Sequence, residues 1–176
     1  MMTAPVNIID EGWEQRIAAL WLAIDDHEPA AFVALIDTMV GELPPGETEK
    51  AIGLFEQACA RDSTGHPDLA VPKYQAALDI GLTGIRRRRA VIQMSSSLRN
   101  LGEAATAVKL LTAELDAPSD ELDGAVRAVL ALALVSAGRE REAVAHCLMA
   151  LSKYLPRYNR SMARYAQALT DPPVHG

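Results

Sequence analysis

The sequence predicts an all-α protein, a right-handed superhelical stack of antiparallel helix pairs. Three observations carry this reading. A local pattern recurs: Gly65, Gly102 and Gly138 lie 37 and 36 residues apart, each followed five residues on by alanine (Ala70, Ala107, Ala143) and thirteen on by leucine (Leu78, Leu115, Leu151). Self-similarity at such a period marks stacked repeats, none of which can bury its apolar face alone. Apolar positions recur at helical spacing, as at Ile17, Leu20, Trp21 and Ile24, and no segment alternates convincingly with the period of a strand. Hydrophobic residues make up 49% of the chain but aromatics only 5%. Small residues let helices approach closely, whereas sheets favour β-branched and aromatic side chains.

The elements follow in order. Residues 1–9 read as a flexible tail, and a first helix is expected over 10–26. Pro29 suits the first turn of a second helix, which carries Phe32, Leu35, Ile36 and Met39 to residue 43. Pro44-Pro45-Gly46 stops it, because neither proline can donate a helical hydrogen bond. Residues 10–43 thus form a divergent N-terminal helix pair, which the break would free to dock away from the regular stack and fill its groove. Three repeats then occupy 47–156. The third helix carries Ala51, Leu54, Phe55 and Ala58 and ends at the turn Asp62-Ser63-Thr64-Gly65, where glycine suits a left-handed helix end. Pro67 opens a fourth with Ala70, Tyr74, Ala77 and Leu78, and Gly81 and Gly84 bracket the next break. A fifth helix is expected over 85–101, a sixth over 103–115, a seventh from Pro118, capped by Ser119 or Asp120, to 137, and an eighth over 140–154. Pro156 breaks the eighth. A half-polar last helix over 157–170 reads as a C-terminal cap with a solvated outer face, followed by a flexible tail at 171–176.

Within the repeats, three series stand in register: Ala58, Gly65, Ala70, Tyr74, Ala77 and Leu78; Ser95, Leu98, Gly102, Ala107, Leu111 and Leu115; Ala131, Leu134, Gly138, Ala143, Cys147, Ala150, Leu151 and Pro156. Their spacing resembles the tetratricopeptide repeat (TPR), with small residues where paired helices cross. The residue four positions after each alanine fills the gap to the next pair, and Cys147, in that slot, is expected to be buried. Arg61 stands where the other copies have leucine, and Glu114 replaces a small residue. The blocks at 60–63, 88–93 and 97–102 are similar to a bacterial subgroup of the family. The resemblance implies a TPR-like α-solenoid and a non-enzymatic protein–protein interaction scaffold, with the first helix of each pair lining a concave groove.

By that mapping Arg89, Gln93, Ser96 and Asn100 face the groove, with Arg99 beside them and Glu56, Cys59 and Asp62 from the preceding repeat. The run Arg86-Arg87-Arg88-Arg89 spreads around its helix, so its members cannot all contact one ligand. Arg89 and its line would hold an acidic peptide or a C-terminal carboxylate by charge-assisted bonds. The competing reading is a solvated helix start paired with acidic neighbours. Arg157, Arg160 and Arg164 make a second basic stripe, shared with Tyr158 and Tyr165. It reads as a capping helix with inward-packed tyrosines, or as the far rim of the groove or a dimer contact. Trp13 and Trp21, eight residues apart, share a helical face and belong to the core of the first pair.

Two other functions compete with the scaffold: a homodimer formed through the first helix pair or the last helix, and a small hydrolase using Asp62, Ser63 and His66. Those three are adjacent in sequence, whereas a nucleophile relay requires a specific spatial arrangement. They suit helix caps and a turn better. A net charge of −6 argues against general nucleic-acid affinity. No apolar run reaches the ~18 residues of a membrane span. Cys59 and Cys147 are not ligand-spaced, and His27, His66, His146 and His175 are scattered, so no metal or cofactor is implied. The opening Met1-Met2-Thr3-Ala4-Pro5 does not read as a secretory leader, and a cytoplasmic location is expected. The length of 176 residues suits one compact domain.

Overall fold

The computed structural model describes residues 11–170; the tails expected at 1–9 and 171–176, with His175, lie outside the described residues. Among the described residues all regular structure is helical. The elements are α1 (Glu11–Leu22), a 3₁₀ turn (Ile24–Asp26), α2 (Pro29–Gly41), α3 (Glu47–Ser63), α4 (Pro67–Ile80), α5 (Gly84–Asn100), α6 (Ala104–Glu114), α7 (Asp123–Ser136), α8 (Glu140–Ser152) and α9 (Asn159–Thr170). The chain forms two compact units, Met1–Ala90 and Val91–Gly176, where the length alone suggests one. Stacked helix pairs touch chiefly their neighbours in sequence, so no single core gathers the whole chain. The division falls within α5.

In the first unit packing follows chain order: α1 on α2, α2 on α3, α3 on α4. The N-terminal pair therefore does not dock away from its neighbours, as the Pro44-Pro45-Gly46 break suggested. Trp13, Ile17, Phe32 and Ile36 are buried together with Ala60 of α3. The Trp13 indole donates to the Met39 carbonyl at 2.8 Å, and the Trp21 ring meets Phe32 edge-on at 5.0 Å. Ala58, Ala70 and Ala77 are fully buried, which lets α3 and α4 approach closely. Arg61, in the leucine position, reaches α2 and makes a two-pronged pair with Asp37 at 3.1 and 2.9 Å. A charged pair thus replaces the apolar contact at that slot.

In the second unit α6 packs on α7, α7 on α8 and α8 on α9. Leu111, Val126, Leu130, Leu134, Ala143 and Ala166 are buried. Arg141 of α8 closes the end of α9 by donating from Nε to the Leu169 carbonyl at 2.9 Å, a cation at a helix C-terminus.

The three repeated glycines end their helices in one way. At Gly102 φ is +88°, and the Glu103 amide donates back to the Leu98 carbonyl at 2.8 Å. Gly65 and Gly138 share the positive φ, with matching bonds from His66 to Arg61 and from Arg139 to Leu134. This left-handed end satisfies carbonyls that have lost their helical partners and turns the chain back on itself.

Some boundaries differ from expectation. Helix α3 continues through Asp62 and Ser63, so the turn lies at 64–66. Helix α7 starts at Asp123 rather than at Pro118. The Ser119 hydroxyl donates to the Asp123 carboxylate at 2.6 Å and the Leu122 amide donates to Asp120 Oδ1 at 2.7 Å, so side chains offer this backbone an alternative to helix. Helix α8 ends at Ser152, and α9 starts at Asn159 rather than at Arg157.

Candidate interaction surfaces

Within the first unit, the start of α5 carries the arginine run, and its members take different environments. Arg86 is half-buried and joins two helices. Its guanidinium donates to Glu14 of α1 at 3.0 and 2.6 Å and to Glu56 of α3 at 3.2 Å. The Trp21 indole donates to the other oxygen of Glu56 at 2.8 Å. Burial alone would lower the Arg86 pKa, but the bonds and charges of Glu14 and Glu56 outweigh it and raise it. Arg88 is buried. Arg89 is exposed, and its guanidinium lies 5.1 Å from the centre of the Phe55 ring, a cation–π contact. Glu56, expected on the open groove, is only 3% exposed and is engaged by Arg86 and Trp21. Asp62 is half-buried at the end of α3.

Beneath Arg89, Phe55 packs near Tyr74 at 6.3 Å. Cys59 is 1% exposed; burial pushes its thiol up to about 12, with the Tyr74 hydroxyl as a partially compensating neighbour. Burial also raises the Tyr74 phenol, reinforced by Cys59. Such a thiol is a packing element and a poor nucleophile. Ser63 and His66 are exposed at the α3–α4 turn, where His66 is the N-cap residue of α4.

Within the second unit, Gln93 and Ser96 are half-buried and Asn100 is exposed, while Ser95 and Ser97 are fully buried. Arg99 donates to Asn100 Oδ1 at 2.8 Å. Arg160 and Arg164 are exposed on α9. Tyr158 and Tyr165 are 75% and 65% exposed, contrary to the inward packing expected of them. Cys147 is exposed too, on the wall of an apolar groove formed with Leu132, Val135 and Val144. Helix α9 sits beside Ala145 and Met149 rather than over Cys147, whereas Tyr74 and Leu111, in the matching slots of their repeats, are fully buried. His146 lies beside Arg127, 3.3 Å from Nδ1 to Nη1.

Among the described residues no cluster of three or more His, Cys, Asp or Glu could hold a metal ion, and no helix is long and apolar enough to cross a membrane. A family model described as tetratricopeptide repeat matches residues 51–169, about two thirds of the chain. The chain belongs to the tetratricopeptide repeat family. The match runs from the second turn of α3 into the last turn of α9. TPR repeats generally mediate protein–protein interaction, and members of the family are typically non-enzymatic scaffolds. No curated protein and no solved structure matches the chain.

Sequence reasoning does not find Arg86 and Trp21 as the partners of Glu56, nor Glu14 as the second partner of Arg86. Glu14 and Arg86 are 72 residues apart, and no local spacing signals their meeting.

Proposed function

We propose that this TPR protein is a non-enzymatic adaptor that receives a protein or peptide segment along the polar face of α5. Gln93, Ser96 and Asn100 follow one another at spacings of three and four on that helix, with Arg89 one turn earlier and Arg99 at its edge. The observation that carries the reading is this unbroken polar line in a helix that otherwise buries most of its length. Amide and hydroxyl groups at helical spacing can bond an extended backbone, and Arg89 supplies a cation for an acidic side chain or a terminal carboxylate. A preorganised helical frame loses little conformational entropy on binding. Glu56, held by Arg86 and Trp21, is not part of this surface.

The test is affinity capture from the native cell with the wild-type chain and an Arg89→Glu, Asn100→Ala variant, both checked for helix content by circular dichroism. Loss of the captured protein in the folded variant supports the placement. Equal capture by both overturns it.

A further inference from the structure

We propose that the C-terminal end of the second unit is a docking surface for an extended acidic protein segment. Residues 143–170 contain no Asp or Glu, yet they carry Lys153, Arg157, Arg160 and Arg164 in a chain whose net charge is −6. Lys153 pairs with Asp123 at 3.1 Å. Among the described residues the guanidinium groups of Arg157, Arg160 and Arg164 form no ion pair or hydrogen bond, and all three are exposed. Among the described residues three cations thus stand unpaired within the stretch 157–164, and their complement is a carboxylate-rich partner.

The aromatic residues point the same way. Tyr154, Tyr158 and Tyr165 are 75%, 75% and 65% exposed. Tyrosine and arginine are the side chains that most often anchor protein interfaces. Tyr158 has φ +67°, the only positive φ of a non-glycine among the described residues. Its carbonyl accepts the Met162 amide at 2.8 Å and the Ser161 hydroxyl at 3.0 Å, so it starts α9. Glycine or asparagine would hold that conformation at lower cost. The ring buries little in return, so the fold alone does not account for a tyrosine there.

Spacing selects the form of the segment. Arg160 and Arg164 are four residues apart on α9 and project about 6 Å apart along its axis. Alternate side chains of an extended strand repeat at about 6.6 Å. Carboxylates at every second position of an extended segment can therefore meet both arginines in two-pronged bonds. The tyrosine rings can cover the intervening positions.

The probe is a fluorescein-labelled octapeptide of alternating Glu and Thr, acetylated and amidated, titrated with the full chain and read by fluorescence anisotropy. Binding is expected, weakened at least about tenfold by Gln in place of every Glu, and by about the same factor in Arg160→Gln, Arg164→Gln. That variant should melt at the wild-type temperature, because neither side chain has a partner to lose among the described residues. Tyr158→Gly should weaken binding several-fold without lowering the melting temperature, a pairing that a purely structural tyrosine would not give. Equal binding of the Glu and Gln peptides, or an undiminished affinity in the arginine variant, overturns the proposal. Tighter binding of an eight-nucleotide oligothymidylate than of the acidic peptide also overturns it, in favour of a nucleic-acid surface.

Discussion

Arg86 of α5 grips Glu14 of α1 through two parallel hydrogen bonds while its Nε binds Glu56 of α3. One guanidinium thus neutralises carboxylates from two helices. The Glu56 side chain is 4% exposed and the Glu14 side chain 38%, so the two pairs are unequal. Arg86→Ala leaves Glu56 buried with the Trp21 indole as its remaining partner, at an expected cost of about 2–4 kcal/mol. Glu14→Gln, at a wetter site, should cost under about 1 kcal/mol. Urea denaturation of the two variants checks the ranking, which fails if Glu14→Gln is the more damaging.

The two cysteines should react at very different rates. Cys59 is buried with its thiol pushed up to about 12, while Cys147 is exposed. At neutral pH a thiol near 12 is over a thousandfold poorer in thiolate than one near the ordinary ~8.5. A disulfide reagent should titrate one thiol per chain in the native protein and two in guanidinium. Two fast thiols in the native state would contradict this packing.

Backbone conformation separates two glycines. At Gly102 φ is +88° and no atom lies within 4 Å of an added methyl, so Gly102→Ala suffers only the left-handed conformation, about 1 kcal/mol. Gly124 lies in α7 with ordinary dihedrals, and an added methyl makes only van der Waals contact with the Tyr154 hydroxyl at 3.6 Å. Gly124→Ala should be neutral or stabilising by up to about 1 kcal/mol. Melting temperatures should move in opposite directions or differ clearly; equal shifts would show that the helix end at Gly102 tolerates a side chain.

His146 makes the second unit sensitive to mild acid. Burial lowers its pKa below 6.5, the positive charge of Arg127 lowers it further, and Glu142 opposes this while Arg139 adds to it. The native state thus favours the neutral ring. Above pH 6.5 both folded and unfolded states hold it neutral and nothing is lost. As pH falls below 6.5 the unfolded chain takes up the proton first, so stability declines until the folded pKa is passed, then levels. The slope should flatten in His146→Gln when melting temperature is followed from pH 8 to pH 5. An unchanged slope would assign the acid sensitivity elsewhere.

Helix spacing and turn glycines were legible because both are local: the same carbonyl-capping bond forms at Gly65, Gly102 and Gly138 from residues within one turn. The late start of α7 was hidden because Ser119, Asp120 and Asp123 satisfy one another, and cap-forming residues read alike whether they begin a helix or delay it. Cys147 was misjudged by analogy with Tyr74 and Leu111, since burial of that slot depends on where the following helix lands. Repeat register predicts a helix's own face better than its neighbour's position. At the candidate surface the polar positions of α5 could be read from spacing, but the capture of Glu56 by Arg86 and Trp21 required three distant helices to be in place.

Both tryptophans of the chain belong to α1, one bonded to a main-chain carbonyl and the other to a buried carboxylate. Indole emission is therefore a private signal of how that helix is seated. Should it redshift in denaturant before ellipticity falls, the amino-terminal helix peels away as a separate step, and a single spectrometer can time it without any label.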